Sequence, residues 1–260
     1  MMPWKSPLVS LLLVWSAVVT AEDSAIAELL ARHGISGTLV IASLSGTPSY
    51  VHDDAGSERR YSAASTFKVL NSLIALEEGV VADQDTLLTW DGQVHPFPYW
   101  NQDQTLASAF KVSCVWCYQE LARRIGAERY RRHLAAWDYG TLKEPMDPTG
   151  FWLDGSLTIS AREQVEFLQR LYRRALPYRD HSYQVLRQIM LADQGPGYRL
   201  YAKTGGATQE TPPAGWYVGY VEKEQEVWFF ATRLELRSDK DLPLRRQLTL
   251  EALKLKGILD

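Results

Sequence analysis

Three short strings in a fixed order carry chemistry in this chain: Ser65-Thr66-Phe67-Lys68, Ser113-Cys114-Val115 and Lys203-Thr204-Gly205. The first sets a hydroxyl and an amine three residues apart, on one face of a helix. The second adds another hydroxyl, and the third a cationic end beside a glycine. A serine hydroxyl is a weak nucleophile until a neighbouring group takes its proton. A lysine can do so when burial disfavours its charged form, and Phe67, Val69 and Leu70 surround Lys68 in the chain. The combination reads as a serine acyl-transfer site with lysine in the base role. If Ser65 opens a helix, the free N–H groups of the first turn stabilise a developing oxyanion. Gly205 lets a backbone or substrate come close to a strand end, where Lys203 and Thr204 attract a carboxylate.

One such string says little alone: a second Ser-x-x-Lys stands at Ser108 and Lys111. The bland alternatives are a surface lysine at position 68 and a hairpin turn at Lys203. The order of the three strings outweighs both. There is no Gly-x-Ser-x-Gly elbow, and His33, His52, His95, His133 and His181 are scattered and read as surface residues. A Ser-His-Asp hydrolase is therefore disfavoured. No two histidines have metal spacing, so no metal site is expected. Cys114 and Cys117 alone cannot complete a structural zinc site. They read as two small core residues, with an oxidised pair as the alternative.

The elements that must position these strings follow from periodicity. Gly37 to Ser43 is a buried strand, with a hairpin partner from Thr47 to His52. Ser65 to Glu78 has apolar residues at helical spacing and ends at Gly79. Thr86 to Asp103 reads as loop. Ser113 to Ile125 and Ala127 to Trp137 read as helices broken at Gly126. Ser160 to Ala175 is a helix with a Ser160–Glu163 capping box, and Leu186 to Leu191 continues helical. Tyr198 to Thr204, Gly215 to Glu222 and Val227 to Leu234 are consecutive antiparallel strands, and Pro243 to Leu255 is a closing helix. The fold class is α/β (α+β): an antiparallel sheet built from N- and C-terminal strands, flanked by helices, with a largely helical inserted region.

The chain has 260 residues, 46% of them hydrophobic, enough for a substantial core. A net charge of −3 without a basic block argues against nucleic acid as a partner. Lys5, the apolar run Leu8 to Val19 and the small residues before Glu22 read as an export signal cleaved near Ala21. The expected division is 1–21 signal peptide and 22–260 mature domain. Within it, a sheet region covers about 22–64 and 195–260, and a helical region about 65–194. The mature chain is expected to be periplasmic and free of the membrane.

Beyond the three strings, the chain carries Tyr61-Ser62-Ala63-Ala64, Asn101-Gln102-Asp103, Ala109-Phe110-Lys111, Phe151-Trp152-Leu153-Asp154-Gly155 and Gly215-Trp216-Tyr217-Val218-Gly219. On these it resembles the class D, oxacillinase-type serine β-lactamases over essentially the whole mature length. The resemblance implies the penicillin-recognising serine transferase/hydrolase fold and hydrolysis of β-lactam antibiotics through an acyl-enzyme on Ser65. It implies that Lys68 is N-carboxylated, with carbon dioxide or bicarbonate as the source, and is the general base, held by the Trp152 indole. Ser113 would relay a proton to the leaving nitrogen. Val115 and Leu153 would form an apolar lid. The N–H groups of Ser65 and Gly206 would form the oxyanion hole, and Lys203, Thr204 and Arg245 would bind the substrate carboxylate. No other cofactor is implied, and a homodimer is compatible. Two departures stand out: Thr141 follows Tyr139-Gly140 where the family commonly has Asn, and Gly206 replaces an aromatic residue. Tyr139 is still expected to line the cleft. The alternative reading is a β-lactam sensor domain with the same site, acylated without turnover.

Overall fold

The computed structural model describes residues 22–260, so the export signal read in 1–21 lies outside the described residues. Helix α1 (Ser24–Arg32) leads into a hairpin of β1 (Gly37–Ser43) and β2 (Ser49–His52). Then come α2 (Asp54–Glu58), the short strand β3 (Tyr61–Ser62), a 3-10 turn over Ala64–Phe67 and α3 (Lys68–Glu77). The middle of the chain holds β4 (Leu87–Leu88), β5 (Gln104–Thr105), α4 (Leu106–Lys111), α5 (Val115–Ile125) and α6 (Ala127–Trp137). It continues through β6 (Thr141–Leu142), β7 (Leu157–Ile159), α7 (Ala161–Tyr172) and α8 (Asp180–Met190). The last stretch is β8 (Leu191–Gly195), β9 (Tyr198–Ala207), β10 (Ala214–Lys223), β11 (Glu226–Glu235) and α9 (Leu244–Leu255).

Six strands form one antiparallel sheet in the order β2-β1-β11-β10-β9-β8. Strand β1 therefore lies beside β11, with Gly37 opposite Leu234 and Ser43 opposite Trp228. Both faces of the sheet are covered, which explains why β1 reads as an unbroken apolar run rather than an alternating one. Leu39 and Ile41 enter a core with Ile26 and Leu29 of α1 and Leu248 and Leu253 of α9. Val40 and Ala42, one residue out of phase, enter the second core with Leu70 and Leu73 of α3 and Phe167 and Leu168 of α7. That second core extends through the helical insertion.

Most expected elements form. The α7 capping box is present in both directions, with Ser160 N–H donating to Glu163 and Glu163 N–H to Ser160 Oγ. Several boundaries differ for local reasons. Ser65 lies in the 3-10 turn, and the α-helix begins at Lys68. Ser113 is not helical: its φ of 58° is left-handed, and α5 starts two residues later. The segment after Met190 leaves the helix and forms the exposed edge strand β8, whose sequence Leu-Ala-Asp-Gln-Gly has no apolar alternation to announce it. The stretch Thr86–Asp103 carries a two-residue strand paired with β5 and a 3-10 turn at Pro98–Trp100.

Candidate active site

The turn bearing Ser65 is built under constraint. Ala64 has φ of 46°, a left-handed conformation that costs a non-glycine residue about 1–3 kcal/mol. It is held by its neighbours: Ala63 N–H donates to the Leu157 carbonyl, and Thr66 Oγ1 donates to the Ala63 carbonyl. Gln164 of α7 donates to Thr66 Oγ1 at 2.7 Å. Phe67 anchors the turn among Tyr130, Tyr139, Phe151 and Trp152, with ring centroids 5.1–5.9 Å away.

Lys68, the first residue of α3, is wholly buried, and its Nζ lies 2.9 Å from Ser65 Oγ. Burial draws its pKa down from the ordinary lysine value to about 7. The face of Tyr118 lies 5.0 Å from Nζ, and the Tyr118 hydroxyl is bound to Ser72 Oγ at 2.6 Å. Tyr118 was not anticipated from sequence; it reaches Lys68 from α5, and no local pattern marks it. Trp152 is fully buried, and its indole N–H has no partner. An indole nitrogen can only donate, so this buried donor is suited to an acceptor bearing negative charge. Val115 and Leu153 pack, partly buried, against the same core.

The second hydroxyl meets the third string. Lys203 Nζ is 3.0 Å from Ser113 Oγ, 3.0 Å from the Thr204 carbonyl and 3.3 Å from Thr204 Oγ1. The Phe110 ring lies 5.5 Å from the same nitrogen. Lys203 is 3% exposed, and burial, reinforced by the charges of Lys68 and Arg245, holds its pKa well below the ordinary lysine value. The two lysines and two hydroxyls thus form adjoining pairs: Ser65 with Lys68, and Ser113 with Lys203.

Strand β9 carries Lys203 past the Ser65 turn at close range. A Cβ on Gly205 would meet Thr66 Cγ2 at 3.0 Å and Trp216 Cβ at 3.1 Å, so any larger residue would have to push these neighbours aside. Arg245 Nη1 donates to the Gly205 carbonyl at 2.7 Å, and burial lowers its pKa to about 10. Arg246 instead points to Asp193, 3.8 Å away. A Cβ on Gly206 would touch nothing closer than 3.7 Å.

Two expectations, for Tyr139 and His133, are corrected, and one left open is resolved. Tyr139 does not line the cleft; it is 1% exposed, packed between Phe67 and Phe167 beneath the Ser65 turn. Cys114 and Cys117 are both buried in the core, as expected, and are joined in the disulfide given as the alternative, with Cα atoms 5.5 Å apart. His133 is buried, bound to Glu78 and Tyr178 rather than exposed. Among the described residues no cluster of His, Cys, Asp or Glu could hold a metal ion. A cleft of about 640 Å³ lined by Tyr172, Arg187, Tyr201 and Glu222 contains none of the residues above. Volume does not select the site here; the paired hydroxyls and buried amines do.

The penicillin binding protein transpeptidase domain family matches residues 38–254. The chain is 39% identical to β-lactamase OXA-48 of Klebsiella pneumoniae over 228 residues, 88% of this chain and 86% of that protein. The structure of the class D β-lactamase YbXI from Nostoc superposes with a TM-score of 0.87 at 40% identity, covering 90% of this chain and 99% of that one. The C-terminal domain of the Bacillus licheniformis BlaR penicillin receptor superposes at 0.85 with 31% identity, over 90% and 96% of the two chains. Two hydroxyls each against a buried lysine, on a fold shared at this identity over nearly the whole described chain, place it in a family: it belongs to the class D β-lactamases.

Proposed function

We propose that the chain hydrolyses the β-lactam amide of penicillins of the oxacillin type through an acyl-enzyme on Ser65. The observation that carries this is the 2.9 Å approach of fully buried Lys68 Nζ to Ser65 Oγ. With a pKa near 7, about half of such amines are neutral at neutral pH, against well under a thousandth for an ordinary lysine. A neutral amine can attack carbon dioxide, and the unpartnered Trp152 indole N–H fits the product. The carbamate supplies a general base for both acylation and deacylation. Ser65 Oγ gives its proton toward the Lys68 side chain and attacks the lactam carbonyl. The N–H groups of Ser65 and Gly206 receive the developing oxyanion. Ser113, with Lys203 3.0 Å behind it, hands a proton to the departing nitrogen. Lys203, Thr204 and Arg245 hold the substrate carboxylate, and Val115 and Leu153 limit water around Lys68. In this reading residues 22–260 are one mature domain, exported to the periplasm after loss of 1–21.

The likeness to the BlaR receptor domain supports a second reading, in which the same serine traps antibiotic without release. Oxacillin hydrolysis by the mature protein, with and without bicarbonate and with intact mass followed, separates the two. Rapid turnover sustained by bicarbonate is expected. A stable adduct on Ser65 with little turnover would leave the chain a sensor.

A further inference from the structure

The loop that follows the Lys-Thr-Gly strand returns to the base-holding tryptophan through one serine. Ser62 uses all three of its polar groups at close range. Its N–H donates to Glu210 Oε1 at 2.7 Å, its carbonyl accepts from Trp216 Nε1 at 3.1 Å, and its hydroxyl donates to the Trp152 carbonyl at 3.2 Å. Glu210, in the loop joining β9 to β10, is fixed by Arg233, whose guanidinium donates to Glu210 Oε2 at 2.8 Å. Arg233 is 4% exposed, and its guanidinium carbon lies over the Tyr61 ring, 3.4 Å from its centroid. On β11 it sits opposite Trp216, which itself sits opposite Gly205.

We infer that Glu210, clamped by Arg233, is a positioning residue that sets the Trp152 main chain through Ser62 and so aims the unpartnered indole N–H at Lys68. This rests on the reading of Lys68 as the carboxylated base. The physical argument is one of alternatives. A buried donor without a partner turns toward any acceptor within reach unless its backbone is fixed. Of the Trp152 backbone, the carbonyl is tied to Ser62, and Ser62, opposite Thr158 in the pairing of β3 with β7, has its own N–H and carbonyl taken by Glu210 and Trp216. Removing the carboxylate frees the Ser62 N–H and loosens the end of β3, three residues before Ser65.

Removing Glu210 alone would leave Arg233 as an unpaired buried charge and endanger the fold, so two double variants make the test. Glu210→Ala with Arg233→Met removes the acceptor and the charge together. Glu210→Gln with Arg233→Met removes the charge but keeps an oxygen for the Ser62 N–H. The readout is the carbamate signal in ¹³C NMR during titration with ¹³C-bicarbonate, alongside Tm. Roughly tenfold weaker bicarbonate affinity is expected for the Ala/Met variant, within the coupling range of hydrogen-bonded neighbours, with wild-type affinity restored in Gln/Met. Equal affinity in both variants and in wild type overturns the positioning role, as does equal loss in both. A wild-type protein without any carbamate signal overturns the base assignment itself, and that outcome is visible before any variant is made.

Discussion

Lys68 is unusual for being buried whole, with a serine hydroxyl at its amine and the face of a serine-bound tyrosine beside it. Its folded pKa of about 7 lies below the unfolded value near 10.5. Between those two values the unfolded chain holds a proton that the native lysine has lost, so stability rises with pH across that window and is flat below it. In carbon-dioxide-free buffer, Lys68→Met should reduce the slope, leaving the part that buried Lys203 contributes; urea unfolding of both proteins from pH 7 to 10 measures it, and parallel curves would contradict the assignment. Lys68→Ala should slow deacylation by roughly 10²–10⁴-fold, more than it slows acylation, so that the Ser65 adduct accumulates in intact-mass spectra. Normal turnover by this variant would exclude Lys68 as the base. Ser65 and Lys68 were legible because they lie three residues apart in one string. Tyr118 and Glu210 were not, since each reaches the site from an element distant in sequence, and nothing at positions 118 or 210 distinguishes them locally.

At the scale of elements, the site depends on how closely β9 passes the Ser65 turn. Gly205→Ala pushes a methyl against Thr66 and Trp216 at about 3 Å. It should cost about 1–3 kcal/mol of stability, as overpacking does, and lower kcat through the displaced Ser65 turn. Gly206→Ala meets only ordinary contacts, at 3.7 and 3.9 Å, and should stay within about 0.5 kcal/mol of wild type. Thermal melts and steady-state kinetics on the pair check this; equal effects at the two positions would mean that the close approach is unimportant. The long strands were readable because period and turn residues agreed. The turn at Ser113 was not, because a left-handed serine has no sequence signature, and the helical pattern of Val115–Ile125 extends by eye through the residues before it. Strand β8 escaped because an exposed edge needs no apolar alternation.

Among the described residues two large cores lie on opposite sides of one sheet, and the one that holds Phe67 and Trp152 carries the site. Leu253→Ala, in the core beneath α1 and α9, should cost about 2–5 kcal/mol. At roughly 2–4 °C per kcal/mol for a domain of this size, Tm should fall by ~4–20 °C while kcat at 20 °C holds; a matching fall in kcat would show that the two cores act as one. This layering was visible in outline, since strands cluster at both ends of the chain and helices between them, but which strand lies beside which is a tertiary fact. The pairing of β1 with β11 has a consequence for biosynthesis. The partners are roughly 190 residues apart, so a ribosome adding ~5–20 residues per second leaves β1 without its neighbour for about 10–40 s. During that interval β1 has only β2 as a sheet partner, too little for an independent sheet. The architecture thereby delays closure of the six-stranded sheet until synthesis is nearly finished.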